Sequence, residues 1–195
     1  MASTYNFQRI SLLIADPSKY MRSLLVGLAR SFGFRTIYES ADGQTALTLM
    51  REHHVDIVIV DGPMAPMDGF EFTRLIRTSP ESPNPFLPVI MVSAHTEVGQ
   101  VKRSRDAGVT EFLAKPISAK TLLVRLCSVT DHQRAFVRSA KFVGPDRRRH
   151  GDKEYKEPER RGVLPSDDLP PGGLVTQEEI KALLKDDDDG ENAAA

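Results

Sequence analysis

The sequence contains no tryptophan, a single cysteine (Cys127) and no long uninterrupted apolar segment. One cysteine cannot form a disulfide within the chain, and it cannot supply a zinc site alone. No apolar run approaches the roughly 18 residues that a membrane-spanning helix requires, and the polar N-terminus lacks the apolar stretch of a signal peptide. We therefore expect a cytoplasmic protein from a reducing compartment, with no membrane partner.

A strong net charge is also missing, because the formal charge over 195 residues is only −1. This small value hides three blocks, with net charges of +2 over residues 1–137, +4 over 138–161 and −7 over 162–195. The composition, with 40% hydrophobic and 27% charged residues, is that of a globular protein. The length suggests one domain with an extension.

Short apolar runs alternate with helical periodicity over the first 137 residues. The predicted strands are Ile10–Ala15, Phe34–Tyr38, Val55–Val60, Val89–Val92 and Val109–Ala114. A helix is predicted after each strand; Ser18 and Gly33 are expected to begin and end the first one, and Ser118 to cap the last. Five strand–helix repeats predict an α/β fold of the flavodoxin-like type, a doubly wound five-stranded parallel sheet in (βα)5 order.

The composition changes near residue 138. We predict a folded domain over 9–134, a basic Arg-rich and Pro/Gly-rich linker over 138–173, a short amphipathic helix over 174–185 and an acidic disordered end over 186–195. Most of this extension is expected to be disordered, because it has few large apolar residues to bury. The helix is predicted from a capping-box pair, Thr176 and Glu179, and from Ile180, Leu183 and Leu184 on one face.

Polar residues follow four of the predicted strands. They are Asp16, Asp61, Ser93 and Lys115, after the first, third, fourth and fifth strands. In an open parallel sheet these ends meet at one edge, where function collects. Carboxylates suit Mg²⁺, an aspartate can accept a phosphoryl group, and a lysine and a hydroxyl can hold phosphate oxygens.

These residues lie within four strings: Leu13-Ile14-Ala15-Asp16, Val60-Asp61-Gly62-Pro63-Met64-Ala65-Pro66-Met67-Asp68-Gly69, Met91-Val92-Ser93-Ala94 and Phe112-Leu113-Ala114-Lys115-Pro116. By their order and spacing, residues 9–134 resemble the receiver domain of two-component response regulators, a phosphorelay family with chemotaxis regulators among its members. The resemblance implies a histidine kinase or phosphotransfer protein as phosphate donor.

The resemblance also implies a role for each residue. Asp61 would be the phosphoacceptor, Ser93 and Phe112 the switch residues, and Lys115 the partner of the phosphoryl group, joined to Pro116 by a cis peptide. Mg²⁺ would be held by Asp16, Asp61 and the backbone carbonyl of Pro63. Asp68 is interpreted as part of the turn into the third helix.

One residue departs from the family pattern, because Pro17 stands where the family usually has a second acid. Fewer ligating charges should weaken Mg²⁺ binding. A phosphatase of the haloacid-dehalogenase type is disfavoured, because Pro63 occupies the position two residues after Asp61 where that class places a second aspartate. We therefore expect no enzyme activity beyond self-catalysed phosphorylation and dephosphorylation.

The extension offers two further candidate sites. Arg147, Arg148, Arg149, Arg160 and Arg161 form an arginine-rich strip, similar in kind to tails that bind cyclic di-GMP, although a solvated basic linker explains it equally well. Residues 177–184 resemble the flagellar motor switch peptide that docks on chemotaxis receivers, which would make another receiver or the motor switch the target. Binding to DNA is not expected, because there is no helix-turn-helix.

Together these observations favour a stand-alone response regulator that switches protein contacts when Asp61 is phosphorylated, with a role in chemotaxis or motility. The alternative is a receiver-fold binding module with little phosphorylation. Its Arg-rich tail would then bind cyclic di-GMP or another anionic ligand.

Overall fold

The structure, a computed structural model, describes residues 6–131, 135–139 and 142–146. A short 3-10 helix (Phe7–Arg9) comes first. The central sheet contains β1 (Ser11–Ala15), β2 (Thr36–Ser40), β3 (Ile57–Asp61), β4 (Val89–Ser93) and β5 (Glu111–Ala114). The strands are parallel, in the order β2-β1-β3-β4-β5. The helices are α1 (Lys19–Ser31), α2 (Gly43–Glu52), α3 (Gly69–Thr78), α4 (Val98–Asp106) and α5 (Ala119–Asp131). The predicted α/β fold is confirmed.

Both faces of the sheet are buried at β1, β3, β4 and β5, whereas the edge strand β2 is partly exposed. This burial explains the apolar runs in the central strands. Successive strand residues point to opposite faces. One face packs against α2, α3 and α4 through residues that include Leu13, Val58, Val60, Val89 and Met91. The other face packs against α1 and α5 through residues that include Leu12, Ile14, Ile59, Ile90 and Val92.

Side-chain caps fix where the helices start. Ser18 accepts a hydrogen bond from the Met21 amide at 3.3 Å, and Ser118 accepts one from the Thr121 amide at 3.1 Å, so both predicted caps are confirmed. After α1 the chain turns through Gly33, whose φ of 102° lies in the left-handed region that favours glycine.

The second strand begins two residues later than predicted, because Phe34 belongs to the core. Its ring stacks on Phe7 with the centroids 4.7 Å apart, and both residues are 2% exposed. The aromatic ring therefore fills a gap at the end of the sheet instead of continuing the strand pattern.

The first residues of the segment predicted as a linker over 138–173 are part of a hairpin. The chain forms two antiparallel strands, β6 (Phe136–Ser139) and β7 (Phe142–Pro145), with Phe136 opposite Pro145. This hairpin packs against α3 and the turn after α4.

None of the helices in the described ranges combines the length and apolar character needed to cross a membrane.

Candidate functional site

Four predicted site residues lie at one edge of the sheet. Asp61 and Ser93 are the last residues of β3 and β4, while Asp16 and Lys115 directly follow β1 and β5. Because all these strands are parallel, their carboxyl ends face the same side of the molecule. The sheet therefore brings two carboxylates, a hydroxyl and an ammonium group to a common edge.

Lys115 connects the two carboxylates. Its Nζ donates a hydrogen bond to Oδ2 of Asp16 at 2.8 Å and lies 3.1 Å from Oδ1 of Asp61. Asp16 and Asp61 are only 1% and 6% exposed, so these charges interact largely out of contact with water. One ammonium group thus compensates two neighbouring negative charges only in part.

The electrostatic consequence is seen at Asp61. Burial raises the pKa of the Asp61 carboxyl above its ordinary value of 3.8, and the neighbouring Asp16 charge raises it further. The Lys115 ammonium and the Gly62 amide, which donates to Asp61 Oδ1 at 3.0 Å, act in the opposite direction without cancelling the shift. Asp61 is therefore a carboxylate whose negative charge is incompletely stabilised.

Asp16 is held rigidly from two sides. Its Oδ1 accepts a hydrogen bond from the Ser18 amide at 2.8 Å, and its backbone carbonyl accepts one from Nη1 of Arg22 at 2.7 Å. Arg22 also lies 3.6 Å from Glu39 Oε2. The contact of Arg22 with the site was not predicted from the sequence; its signal is a cation four residues after the helix cap Ser18.

The loop after Asp61 depends on two glycines. The Gly69 amide donates to the Gly62 carbonyl at 2.8 Å, and a Cβ on Gly69 would lie only 2.1 Å from the carbonyl oxygen of Asp61. A Cβ on Gly62 would lie 3.1 Å from Oγ of Ser93. Position 69 therefore lies so close to the Asp61 backbone that only glycine fits there. Position 62 lies close to the Ser93 hydroxyl, which favours glycine.

Asp68 begins α3, as the sequence indicates. Its Oδ1 accepts from the Glu71 amide at 2.7 Å, and its Oδ2 accepts from Nη2 of Arg103 on α4 at 2.8 Å. The guanidinium carbon of Arg103 also lies 4.1 Å from the centre of the Phe70 ring. The Arg103 contacts were not predicted, because the sequence does not show that α4 lies beside this loop.

The two switch residues that the resemblance implies are buried on neighbouring strands, β4 and β5. Ser93 is 2% exposed and its Oγ accepts from the His95 amide at 3.1 Å. Phe112 is 2% exposed and pairs in register with Met91 on β4. The peptide between Lys115 and Pro116 is cis, as the resemblance implies, and Ala65–Pro66 is cis as well.

The residues at this edge fit a Mg²⁺ site with few protein ligands. Within the described residues no group of three or more acidic, histidine or cysteine side chains could hold a metal ion. Mg²⁺, however, usually takes only one or two carboxylates together with water and phosphate oxygens, and Asp16 and Asp61 supply two. Pro63, whose carbonyl is the third expected ligand, lies in an exposed part of the following loop.

The candidate sites of the extension lie outside the described residues. These are the arginines at positions 147–149, 160 and 161, and the docking residues Ile180, Leu183 and Leu184. Both remain predictions from the sequence.

Comparison with known proteins agrees with this fold. Residues 12–127 match the family described as the response regulator receiver domain, which is more than half of the chain. The chain therefore belongs to the response regulator receiver family, and it carries an extension beyond the matched residues.

Several similar proteins are chemotaxis regulators. Chemotaxis protein CheY-3 of Vibrio cholerae is 33% identical over 119 residues, which cover 61% of this chain and 90% of that protein. Chemotaxis protein CheY of Pseudomonas aeruginosa is 32% identical over 113 residues, covering 58% and 90%. The solved CheX–CheY–BeF3–Mg complex of Borrelia burgdorferi contains a chain that aligns with a TM-score of 0.55 and 30% identity, over 62% of this chain and 89% of that one.

Proposed function

We propose that this protein is a response regulator whose Asp61 accepts a phosphoryl group from a histidine kinase or a phosphotransfer protein. The observation that carries the proposal is the placement of Lys115 against both Asp16 and Asp61, at 2.8 and 3.1 Å. An aspartate oxygen is a weak nucleophile, so it needs a cation beside it that compensates the charge of the arriving phosphoryl group. The buried carboxyl pair with its single ammonium group has that composition.

The phosphoryl transfer needs no reactant other than the phosphoryl donor and a proton. An Oδ atom of Asp61 attacks the phosphorus, the bond from phosphorus to the donor nitrogen breaks, and the donor keeps the electron pair and takes up a proton. Lys115 stays protonated and pairs with the new phosphoryl oxygens. Mg²⁺, held by Asp16, Asp61 and the Pro63 carbonyl, would neutralise part of the phosphoryl charge.

The output of this reaction would be a change in protein contacts. Ser93 is buried beside Gly62, so its hydroxyl can reach an Asp61-linked phosphoryl oxygen after a small rotation. Such a shift would bias the arrangement of the chain after β4, including α4. The similarity to chemotaxis regulators supports a role in chemotaxis or motility.

Pro17 favours a second candidate, a receiver-fold binding module with little phosphorylation. With Pro17 exposed and lacking a side-chain oxygen, the edge holds two carboxylates, and both already contact Lys115. If this depletion prevents metal binding, the fold would serve as a scaffold and the extension would carry the binding function.

Incubation of the full chain with radiolabelled acetyl phosphate and Mg²⁺ separates the two candidates. We expect a labelled, acid-stable and base-labile protein that is lost in Asp61→Asn. Asp131→Asn, which changes an exposed aspartate at the end of α5, is the matched control and should keep the label. Absence of label, together with no response to beryllofluoride, would favour the binding module.

A further inference from the structure

The hairpin β6–β7 covers a buried arginine at the end of α3. Arg77 is 3% exposed, its Nε donates to the Gly108 carbonyl at 2.9 Å, and its Nη1 donates to the Pro85 carbonyl at 2.8 Å. Phe136 of the hairpin places its ring 5.0 Å from the guanidinium carbon. No carboxylate faces this cation among the described residues, and its Nη2 has no hydrogen-bond partner there.

The same hairpin touches the turn that ends α4. A Cβ added to Gly144 would lie 2.9 Å from the Cα of Gly108, and a Cβ added to Gly108 would lie 2.9 Å from the Val143 carbonyl oxygen. Gly108 also has a φ of +88°, which side-chain-bearing residues rarely adopt. Two glycine backbones therefore approach each other closely with no side chain between them.

The helix α4 connects this contact to the loop of Asp61. Only Val101 and Ser104 of its nine residues are buried, and its first turn has no side-chain cap. Arg103 joins this helix to the loop after Asp61, through the ion pair with Asp68 and the contact with the Phe70 ring. Phe70 in turn comes within 3.6 Å of a Cβ position on Gly62, directly after Asp61.

We propose that the hairpin interface is coupled to the Asp61 site through α4, with Arg103 as the positioning residue that ties α4 to the loop after Asp61. A weakly packed helix is an element that can shift between arrangements at low free energy. Arg103 joins this helix to Asp68, and the contact between Gly108 and the hairpin lies five residues after Arg103 in the sequence. This inference rests on the proposed phosphorylation of Asp61.

The proposed coupling would link residues 147–195 to the Asp61 site through the hairpin. The hairpin ends at Asp146, and the arginine-rich strip begins with the next residue in the sequence. A change in the contact between β7 and Gly108 would therefore shift the position from which residues 147–195 continue. By thermodynamic reciprocity, changes in the hairpin must also alter the affinity of the Asp61 site for its ligand.

Hydrogen exchange of the full chain, read by mass spectrometry with and without beryllofluoride and Mg²⁺, tests this proposal. We expect the exchange of residues 98–108 and of residues 136–146 to change together, by about fivefold, since couplings between sites are typically of that order or larger. If 98–108 responds and 136–146 does not, the coupling is refuted while the proposed function stands. If neither segment responds, the proposed function itself fails.

Two variants of α4 test the positioning residue. In Arg103→Ala the response around Asp61 should persist, while that of residues 136–146 falls close to zero. Lys102→Ala removes the same charge from the neighbouring position of α4, which forms no ion pair with Asp68 in the described residues, and should respond as the unmodified chain does. A full hairpin response in Arg103→Ala would rule out the role of Arg103.

Phe136→Ala provides the reciprocal measurement. It removes the edge-to-face contact with Phe86, whose centroid is 5.1 Å away, and the ring over Arg77, without touching the central sheet. Circular dichroism should show an intact core, and the affinity for beryllofluoride should shift severalfold. An unchanged affinity in a variant whose hairpin exchanges freely would overturn the coupling.

Discussion

The ammonium group of Lys115 lies closer to Asp16 than to Asp61, at 2.8 Å against 3.1 Å. Asp16 is itself fixed by the Ser18 amide, so the cation is anchored by an acid that does not move freely. Lys115 is thereby held beside Asp61, although its shorter contact is with Asp16. This arrangement leaves the ammonium group available to a phosphoryl group on Asp61, and it makes the stability of the edge sensitive to each of the three charges.

Replacement of the central cation should destabilise the protein. Lys115→Ala leaves Asp16 and Asp61 buried side by side, and removal of one partner from a buried ion pair typically lowers the free energy of unfolding by about 3 kcal/mol. Urea denaturation measures the change. The double variant Lys115→Ala/Asp61→Asn should recover part of the loss, because only one buried carboxylate remains; strictly additive effects would contradict this account.

The raised pKa of Asp61 predicts a pH-dependent stability difference. A carboxyl whose pKa is higher in the folded than in the unfolded protein destabilises the fold above the folded pKa, and this penalty disappears as the pH falls towards 3.8. Asp61→Asn should therefore be more stable than the unmodified chain at neutral pH. The difference should shrink on acidification, as thermal denaturation at several pH values would show; a difference that grows on acidification would contradict the shift.

Restoring the second acid should strengthen metal binding. Pro17→Asp adds a carboxylate beside Asp16, and a further ligand charge should raise the Mg²⁺ affinity several-fold, to be measured by isothermal titration with Mg²⁺. Pro17→Asn is the matched control, since it removes the proline without adding charge. Equal affinities in the two variants would mean that position 17 does not face the metal.

Two glycines should respond in opposite directions to alanine. Gly69→Ala places a methyl group 2.1 Å from the Asp61 carbonyl oxygen, so it should lower the free energy of unfolding by at least about 3 kcal/mol and reduce labelling of Asp61. Gly27→Ala, on an exposed position of α1 with no atom within 4 Å, should raise stability by about 0.5–1 kcal/mol. Similar effects of both substitutions would exclude a steric role for Gly69.

Local chemistry in the sequence was sufficient to predict the fold and the edge of the sheet that carries the polar residues. Strand-like segments at five places, each followed by a helical pattern, predict a parallel sheet, and the apolar runs of β1, β3 and β4 are those expected of strands buried on both faces. Once the sheet is parallel, Asp16, Asp61, Ser93 and Lys115 must share one edge. Helix caps such as Ser18 and Asp68 were also predictable, since they depend only on residues three positions apart.

Contacts between residues far apart in the chain were decided by the tertiary structure alone. Residues 136–146 begin an extension whose overall composition predicts little order, yet Phe136 and Gly144 gain burial from Arg77, Phe86 and Gly108. Arg77 is an ordinary basic residue in the helical pattern, where a surface position is the natural expectation, yet it is buried. Arg103 stays exposed as expected, but its partners Asp68 and Phe70 lie far away in the sequence. Which neighbour each of them meets depends on how α3, α4 and the hairpin pack together, and periodicity along one segment contains no information about that packing.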